Sequence, residues 1–278
     1  MSSDDSDVSG PSPFGDLARP PLAIAALRRA LLRDGSSWVS VDVVDSTGST
    51  QVDLAARARS GSAVSGAVLV AEEQTTGHGR LDRSWVSPPR AGLTFSVLLS
   101  PTVPVASWGW LPLLTGLAVV EGIAVATGLE TSLKWPNDVL DAAGHKLAGI
   151  LAERVDLAQV PHAVVGIGIN VSTRRAELPG ETASSLQLSG AEHSDRLPLL
   201  TAALRALDVR LAAWEDGVDL AHDYRAACAT IGRTVRVELP SHEPLVGVAV
   251  DVDPEGRLVV EGADGRTAVA AGDVVHLR

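Results

Sequence analysis

Cysteine is almost absent from this chain, and its scarcity limits what kind of protein the chain can be. Cys228 is the single cysteine in 278 residues, so a disulfide framework is excluded and a reducing cytoplasm is the simplest compartment. Cys228 lies in an alanine-rich helical segment, which favours core packing over a nucleophilic thiolate. The sequence therefore gives no reason to expect thiol chemistry.

The chain also lacks an excess of positive charge. It has 23 Lys and Arg against 34 Asp and Glu, which gives a formal net charge of −11. This balance argues against broad binding to nucleic acid or to an anionic membrane. A site for an anionic ligand must then be a local cluster of cations within an acidic protein.

Targeting and membrane features are scarce as well. Residues 1–20 are rich in Ser, Asp, Pro and Gly and are predicted to be disordered, and they lack the basic start and apolar core of a signal peptide. The long apolar run at residues 108–129 is interrupted by Pro112 and Glu121 and has no flanking Lys or Arg. A helix buried in a core is therefore favoured over a membrane span.

What the chain does contain is a loop rich in glycine and arginine, Glu73-Gln-Thr-Thr-Gly-His-Gly-Arg-Leu-Asp-Arg-Ser-Trp85, between two apolar runs typical of buried strands. Gly77 and Gly79 let backbone N–H groups approach a ligand. Arg80 and Arg83 suit phosphate or carboxylate oxygens, and an indole closes the loop. The loop is typical of a lid over a small anionic ligand with a ring, and a solvated hairpin loop is the alternative.

Polar residues also stand at the ends of predicted helices and strands. Ser49 and Thr50 begin a helix, where N-capping is favoured over ligand binding. Lys146 begins an apolar strand and could simply keep its ammonium in water. The nearby Asn137 and Asp138, predicted at the other strand of the same hairpin, make a site at this end more credible.

Three segments complete the pattern. In the strand at residues 160–171, Gly166 and Gly168 leave room on one face for something to approach closely, and a strand packed against a helix is the alternative. Leucines at helical spacing over residues 197–214 predict an amphipathic helix that forms core or a dimer seam. From residue 233 onward, apolar alternation predicts a small β-barrel of about five short strands.

Five motifs follow one another in a fixed order: Ser49-Thr50, Glu73-Gln74…Gly77-x-Gly79-Arg80…Arg83-x-Trp85, Lys134-Trp-Pro-Asn-Asp138, Lys146-Leu-Ala-Gly-Ile-Leu151 and Gly166-x-Gly168-x-Asn170. In this order they resemble the biotin–protein ligase family, over about residues 38–278. About one helix precedes Trp38, too little for a helix-turn-helix domain, so the resemblance is to the form that lacks the N-terminal DNA-binding domain.

The resemblance implies an α+β fold: a mixed, mostly antiparallel sheet with helices packed on one side, followed by a small SH3-like β-barrel. The expected organisation is a disordered tail at 1–20, a catalytic domain at 21–230 and the barrel at 231–278. The implied substrates are biotin and ATP with Mg²⁺. The implied partner is the biotin carboxyl carrier domain of an acetyl-CoA, acyl-CoA or pyruvate carboxylase in the cytoplasm, without nucleic acid or membrane.

The implied reaction forms biotinyl-5′-AMP and then transfers biotin to a carrier lysine. Two anions must meet in the first step, so cations are needed to offset their repulsion. Carried over by position, the implied catalytic residues are Lys146, Arg80 and Asp138. The implied biotin-binding residues are Ser49, Thr50, Gln51, Gln74, His78, Gly79, Arg80 and Lys146. The implied nucleotide-binding residues are Arg83, Trp85, Asn137 and Asn170, and Mg²⁺ is expected with ATP rather than on direct protein ligands.

The sequence departs from the family pattern at three places. Gln51 stands where many relatives have Asn, His78 stands where Arg is usual, and Leu81-Asp82 replaces a basic residue and a glycine. The lid is therefore expected to be less basic and less flexible, which bears on how long the intermediate is retained. Lipoate or octanoate attachment on a related fold is the second hypothesis, and a biotin-responsive repressor or binding module is the third.

Overall fold

The computed structural model describes residues 19–158, 160–239 and 243–277. Most of the predicted tail, residues 1–18, lies outside the described residues. Arg19, predicted to belong to that tail, is instead buried, with 7% of its surface exposed. Its guanidinium donates to the Glu177 carboxylate at 2.7 Å and to the Ser172 carbonyl at 2.9 Å. These acceptors fix the backbone from Arg19 onward.

The largest sheet is mixed and mostly antiparallel, as the sequence predicts. Its order is β1-β2-β5-β9-β8-β7-β6, and β1 and β2 form its parallel pair. A separate pair, β3 and β4, lies in the glycine-rich loop. The strands are β1 Ser40–Val44, β2 Ala67–Ala71, β3 Gly77–His78, β4 Ser84–Trp85, β5 Gly92–Leu99, β6 Ser132–Lys134, β7 Asp138–Leu140, β8 Lys146–Leu157 and β9 Val160–Asn170.

Helices cover the sheet unequally. They are α1 Ile24–Leu31, α2 Thr50–Arg59, α3 Trp110–Thr127, α4 Arg196–Glu215 and α5 Ala221–Ala227. As expected, α1, α3, α4 and α5 share one face, where their side chains form a continuous core with Val70 and Phe95. In addition, α2 packs on the opposite face, where Leu54 meets Leu98 and Val164. The rest of that face is free to form a cavity.

The apolar run predicted to be a core helix is α3. By length and composition alone, the helical segment Val105–Thr127 is long and apolar enough to cross a membrane, but most of its apolar window is buried inside the protein. Leu113, Leu114 and Ile123 are each at most 1% exposed, because α4 and the sheet enclose them. The prediction of a core helix is confirmed. The predicted leucine stripe on α4 is likewise core, as Leu200 and Leu204 are fully buried.

One part of the sheet differs from the prediction. The sequence predicts a two-stranded hairpin over residues 133–153, whereas the structure has three strands there, β6, β7 and β8. Lys134 and Asp138 pair across a short turn, and Trp135 within that turn is 1% exposed. Because an apolar indole and Pro136, which has no N–H, interrupt the ladder, the first predicted strand splits in two.

The C-terminal segment forms a second, antiparallel sheet. Its order is β13-β12-β11-β10-β14. The strands are β10 Thr234–Glu238, β11 Leu245–Val252, β12 Leu258–Gly262, β13 Gly265–Val269 and β14 Asp273–His276. Five short strands were predicted and are confirmed. The apolar alternation locates four of them, but β13 carries little apolar pattern because four of its five residues are exposed.

Two tryptophans connect this second sheet to the first part of the structure through hydrogen bonds. Trp110 Nε1 donates to the Pro254 carbonyl at 2.9 Å, and Trp135 Nε1 donates to the Gly256 carbonyl at 3.1 Å. Both acceptors lie in the turn before β12. Apolar residues of the second sheet, including Val235, also belong to the large core. The start of β14 is thereby held close to the glycine-rich loop.

Candidate active site

All thirteen predicted site residues line one cavity on the α2 side of the large sheet. They come from α2 and its cap, the glycine-rich loop, the turn between β6 and β7, and the strands β7, β8 and β9. The residues are Ser49, Thr50, Gln51, Gln74, His78, Gly79, Arg80, Arg83, Trp85, Asn137, Asp138, Lys146 and Asn170. The roles given to them remain predictions, but their convergence is a property of the fold.

Hydrogen bonds fix the polar end of the cavity at the start of α2. The Gln74 side-chain oxygen accepts from the Thr50 N–H at 2.8 Å and from the Thr50 hydroxyl at 3.0 Å. The Thr50 hydroxyl also lies 2.8 Å from Ser96 Oγ. Ser49 both caps α2, with the Val52 N–H at 3.5 Å, and lines the cavity. Capping and site formation, treated as alternatives from sequence, therefore coincide.

Gln51 extends along the floor of the cavity. It is 6% exposed, and its Nε2 donates to Glu153 Oε2 at 2.7 Å. A Cβ atom at Gly166 would stand 2.2 Å from Gln51 Oε1. The glycine predicted to allow close approach thus makes room for this side chain, and the longer amide binds a carboxylate on β8.

The Trp85 indole of the glycine-rich loop packs against two glycines of the sheet. Gly149 and Gly168 lie directly opposite each other on β8 and β9. A Cβ at Gly168 would stand 2.4 Å from Trp85 Cε2, and one at Gly149 would stand 3.3 Å from Trp85 Cζ3. Because neither strand has a side chain here, the Trp85 ring lies against the sheet. Its buried Nε1 has no hydrogen-bond partner among the described residues.

The loop itself is a small hairpin. Gly77 pairs with Trp85 and His78 with Ser84, so β3 and β4 form its stem. The Gly79 N–H donates to the Arg83 carbonyl at 2.6 Å, and Leu81 at the tip has a φ of 54°. His78 is exposed while also lining the cavity. The hairpin therefore lies over the cavity as the sequence predicts for a lid; its motion stays a prediction.

Arg80 points from the hairpin into the cationic end of the cavity. It donates to Asn137 Oδ1 at 3.2 Å and to the Gly272 carbonyl at 3.3 Å. Burial lowers the pKa of the Arg80 guanidinium, while the nearby carboxylates of Asp138 and Asp273 oppose this shift. A guanidinium stays protonated in proteins, so Arg80 is a fixed charge.

Lys146 supplies a second cation from the start of β8. Its Nζ lies 2.6 Å from Asp138 Oδ1 and 5.9 Å from the centre of the Trp85 ring. The backbone of Lys146 is held on both sides, since its N–H donates to Thr182 and its carbonyl accepts from Ser184, both at 2.8 Å. The ammonium is thus placed by rigid backbone and paired with a carboxylate.

The two asparagines predicted to serve the nucleotide have structural partners. Asn137 Nδ2 donates to the Ile150 carbonyl at 3.0 Å, which leaves its oxygen for Arg80. Asn170 is 5% exposed and donates through Nδ2 to the Ser184 carbonyl at 2.9 Å. Both amides therefore fix loops at the rim of the cavity.

Sequence reasoning missed several residues that also line the cavity, among them Ser96, Pro179, Ala183 and Asp273. Ser96 had a signal, because it is a polar residue inside an otherwise apolar strand, β5. Asp273 had none. Its carboxylate, at the start of β14, binds the Arg83 guanidinium, which raises the pKa of Arg83.

Metal-binding residues do not cluster in the part of the chain that the structure describes. Within residues 19–158, 160–239 and 243–277 there is no group of three or more His, Cys, Asp or Glu that could hold a metal ion. The cavity instead gathers three cations, Arg80, Arg83 and Lys146, with two carboxylates, Asp138 and Asp273. Such a site suits a ligand that brings several negative charges.

Comparison with known proteins gives matches over most of the chain. A model of the biotin/lipoate A/B protein ligase family matches residues 43–170, and one of the biotin protein ligase C-terminal domain matches residues 230–277. The biotin–[acetyl-CoA-carboxylase] ligase of Mycobacterium tuberculosis is 47% identical over 95% of this chain and 98% of its own length. The bifunctional ligase/repressor BirA of Escherichia coli is 32% identical over 88% of this chain and 75% of its own length.

A solved structure has the same fold. The biotin protein ligase from Aquifex aeolicus in complex with biotin and ATP matches with a TM-score of 0.74 and 29% identity, over 87% of this chain and 100% of that one.

Proposed function

The chain belongs to the biotin protein ligase family, and from this premise we propose that it activates biotin with ATP and transfers biotin to a lysine of a carrier domain. The observation that carries the proposal is the arrangement of the cavity. A polar end at Thr50 and Gln74 suits the ureido ring of biotin. A cationic end at Arg80 and Lys146 suits the carboxylate and the phosphates of ATP.

In the first step an oxygen of the biotin carboxylate attacks the α-phosphorus of ATP. The bond from that phosphorus to the bridging oxygen breaks, and pyrophosphate leaves with the electron pair. The role proposed for Arg80 and Lys146 is to contact the α-phosphate oxygens as negative charge gathers on them, which offsets the repulsion between the two anions. The Trp85 ring, resting on Gly149 and Gly168, excludes water from the intermediate.

In the second step the amine of the carrier lysine attacks the acyl carbon of biotinyl-5′-AMP. The new C–N bond forms, the C–O bond to AMP breaks, and AMP leaves. Asp138 is the proposed acceptor of the amine proton. In the absence of substrate the Lys146 ammonium pairs with the Asp138 carboxylate at 2.6 Å. Asp138 therefore becomes available to accept the amine proton when the ammonium moves to the phosphate.

The proposed partners follow from the chemistry. The acceptor is the biotin carboxyl carrier domain of a biotin-dependent carboxylase, either an acetyl-CoA or acyl-CoA carboxylase or a pyruvate carboxylase. Mg²⁺ is proposed to arrive with ATP as part of the substrate. A protein carrier in the cytoplasm, rather than nucleic acid or membrane, agrees with the formal net charge of −11.

The deciding experiment incubates the protein with ATP, Mg²⁺, labelled biotin and a carboxylase carrier domain. We expect one label per carrier, at one lysine, with loss of labelling when Mg²⁺ or ATP is omitted. A carrier with that lysine changed to Arg is the matched control. Labelled lipoate in place of biotin tests the second hypothesis, and transfer of lipoate without transfer of biotin would refute the proposed substrate.

A further inference from the structure

The start of β14 touches both arginines of the glycine-rich hairpin. The Arg83 guanidinium donates to both oxygens of Asp273, through NH1 to Oδ1 at 3.5 Å and through NH2 to Oδ2 in a shorter contact. Arg80 donates to the carbonyl of the preceding residue, Gly272, at 3.3 Å. Two adjacent residues of the C-terminal sheet thus hold the two guanidinium groups of the lid.

These acceptors belong to a rigid part of the molecule. Asp273 pairs with Glu238 in the β10–β14 ladder. A Cβ at Gly272 would stand 2.7 Å from Val237 Cγ1 and 2.9 Å from the Glu238 carbonyl oxygen, so the chain is tightly packed there. The sheet is in turn fixed to the first one through the Trp135 indole. The two acceptors are therefore held in place by the C-terminal sheet, independently of the hairpin.

A carboxylate at this position has two possible effects of opposite sign. Asp273 lines the cavity, so its charge alone would repel an anionic nucleotide and hasten its departure. Its bond to Arg83 would instead keep the hairpin closed and delay departure. The side-chain exposures of 63% for Arg83 and 39% for Asp273 show that the pair lies at the rim. At the rim the contact can open and reform with the lid.

We propose that Asp273 is a positioning residue that holds the lid closed through Arg83 and thereby sets how long biotinyl-5′-AMP stays bound. The inference rests on the proposed function, because it concerns the intermediate of that reaction. It assigns to the C-terminal sheet a part in retaining the intermediate.

The test is the dissociation rate of purified biotinyl-5′-AMP from the full-length protein. For Asp273→Asn we expect release about two- to fivefold faster, the range of exposed ion pairs. In the Arg83→Gln background the same substitution should change nothing further, since its partner is gone. Glu261→Gln is the matched control, because it removes a carboxylate of the same sheet that pairs with Arg266 at 3.2 Å, remote from the hairpin.

Slower release from Asp273→Asn would overturn the proposal in favour of simple repulsion. An unchanged rate, or an equal effect in the Arg83→Gln background, would also overturn it. Should Asp273→Asn fail to fold, Asp273→Ser, which also removes the carboxylate, takes its place in both backgrounds with the same expected result. Failure of the proposed function is a separate result, since the wild-type protein would then form no biotinyl-5′-AMP at all.

Discussion

Lys146 Nζ lies 2.6 Å from Asp138 Oδ1 at the cationic end of the cavity. The lysine starts β8 and the aspartate starts β7, so the pair joins two neighbouring strands. The exposures of their side chains, 35% and 21%, leave both reachable by a ligand. The same two residues are proposed to act in successive steps, Lys146 on the α-phosphate and Asp138 on the carrier amine. In the absence of substrate, the ion pair lets the charge of each side chain balance the charge of the other.

Lys146→Ala is expected to abolish adenylate formation while the protein stays folded. Loss of one donor to a developing charge costs at least about 2.7 kcal/mol of transition-state energy. Loss of the partly exposed ion pair changes the free energy of unfolding by about 1 kcal/mol or less. The measurements are biotin-dependent pyrophosphate release and urea unfolding.

The control for this variant is Arg154→Ala, on the same strand. Arg154 pairs with Asp156 at 2.8 Å, and both are about half exposed. This control removes a cation and an ion pair without touching the cavity. Pyrophosphate release at the wild-type rate from Lys146→Ala would contradict the proposed role.

Gly168→Ala is expected to displace the Trp85 ring. The new methyl group would stand 2.4 Å from Cε2 of that ring, and overpacking of this kind costs about 1–3 kcal/mol. Since Trp85 belongs to the lid, the indole should move away rather than the sheet unfold. We therefore expect the affinity for biotin to fall about five- to hundredfold, measured by calorimetry.

Gly180→Ala is the matched control for this prediction. Gly180 has nothing within 4 Å of the position a Cβ would occupy, so its substitution should leave biotin affinity unchanged. Equal affinities in the two variants would mean that Trp85 does not close the cavity in solution.

His78→Arg is expected to slow the release of biotinyl-5′-AMP. His78 lines the cavity from the exposed side of β3, and the substitution adds one fixed positive charge to the lid. A unit charge about 4 Å from a phosphate contributes about 1 kcal/mol in water, which corresponds to about fivefold. His222→Arg, on exposed α5 surface, adds the same charge elsewhere and should leave the rate unchanged. Equal rates in His78→Arg and wild type would place His78 out of reach of the phosphate.

His276 is expected to make the protein less stable in mild acid. Burial, with smaller contributions from Lys134 and Arg233, lowers its pKa from 6.5 to about 4. The unfolded chain therefore binds a proton more readily than the folded one between about pH 6.5 and pH 4. The stability that neutral His276 contributes is present above the unfolded pKa and is lost as the pH falls through this window.

The size of this loss is on the order of 1 kcal/mol, because His276 is partly open to solvent. The measurement is the free energy of urea unfolding at several values of pH between 4.5 and 7.5. His276→Gln should flatten the slope, and His222→Gln, an exposed histidine, should not. A slope that persists unchanged in His276→Gln would assign the effect to other groups.

The local pattern of apolar residues was sufficient to predict an element wherever the partners of its residues lie close by in the chain. Strand β2 was predicted at Ala67–Ala71 and is found there, because a short β-branched run has few alternatives to a buried strand. The same reasoning failed in β11. Val246 and Val248 alternate like core residues, yet they are 51% and 39% exposed. Leu245 and Ala249 take the inward positions instead, and after the register shift between Ala249 and Asp251 the inward position passes to Val252.

The sequence by itself determined thirteen of the residues that line the cavity, since the glycines, arginines and polar residues of five ordered motifs predict a lid, a cationic end and a polar end. Only the tertiary structure decided how they pair. Gln51 hydrogen-bonds to Glu153, 102 residues away in the chain, and Arg83 binds Asp273, 190 residues away. The physical reason is that such contacts depend on the register of the sheets and on where the C-terminal sheet is seated. Neither leaves a periodic signal near either partner, so a motif can identify Arg83 but not the carboxylate that holds it.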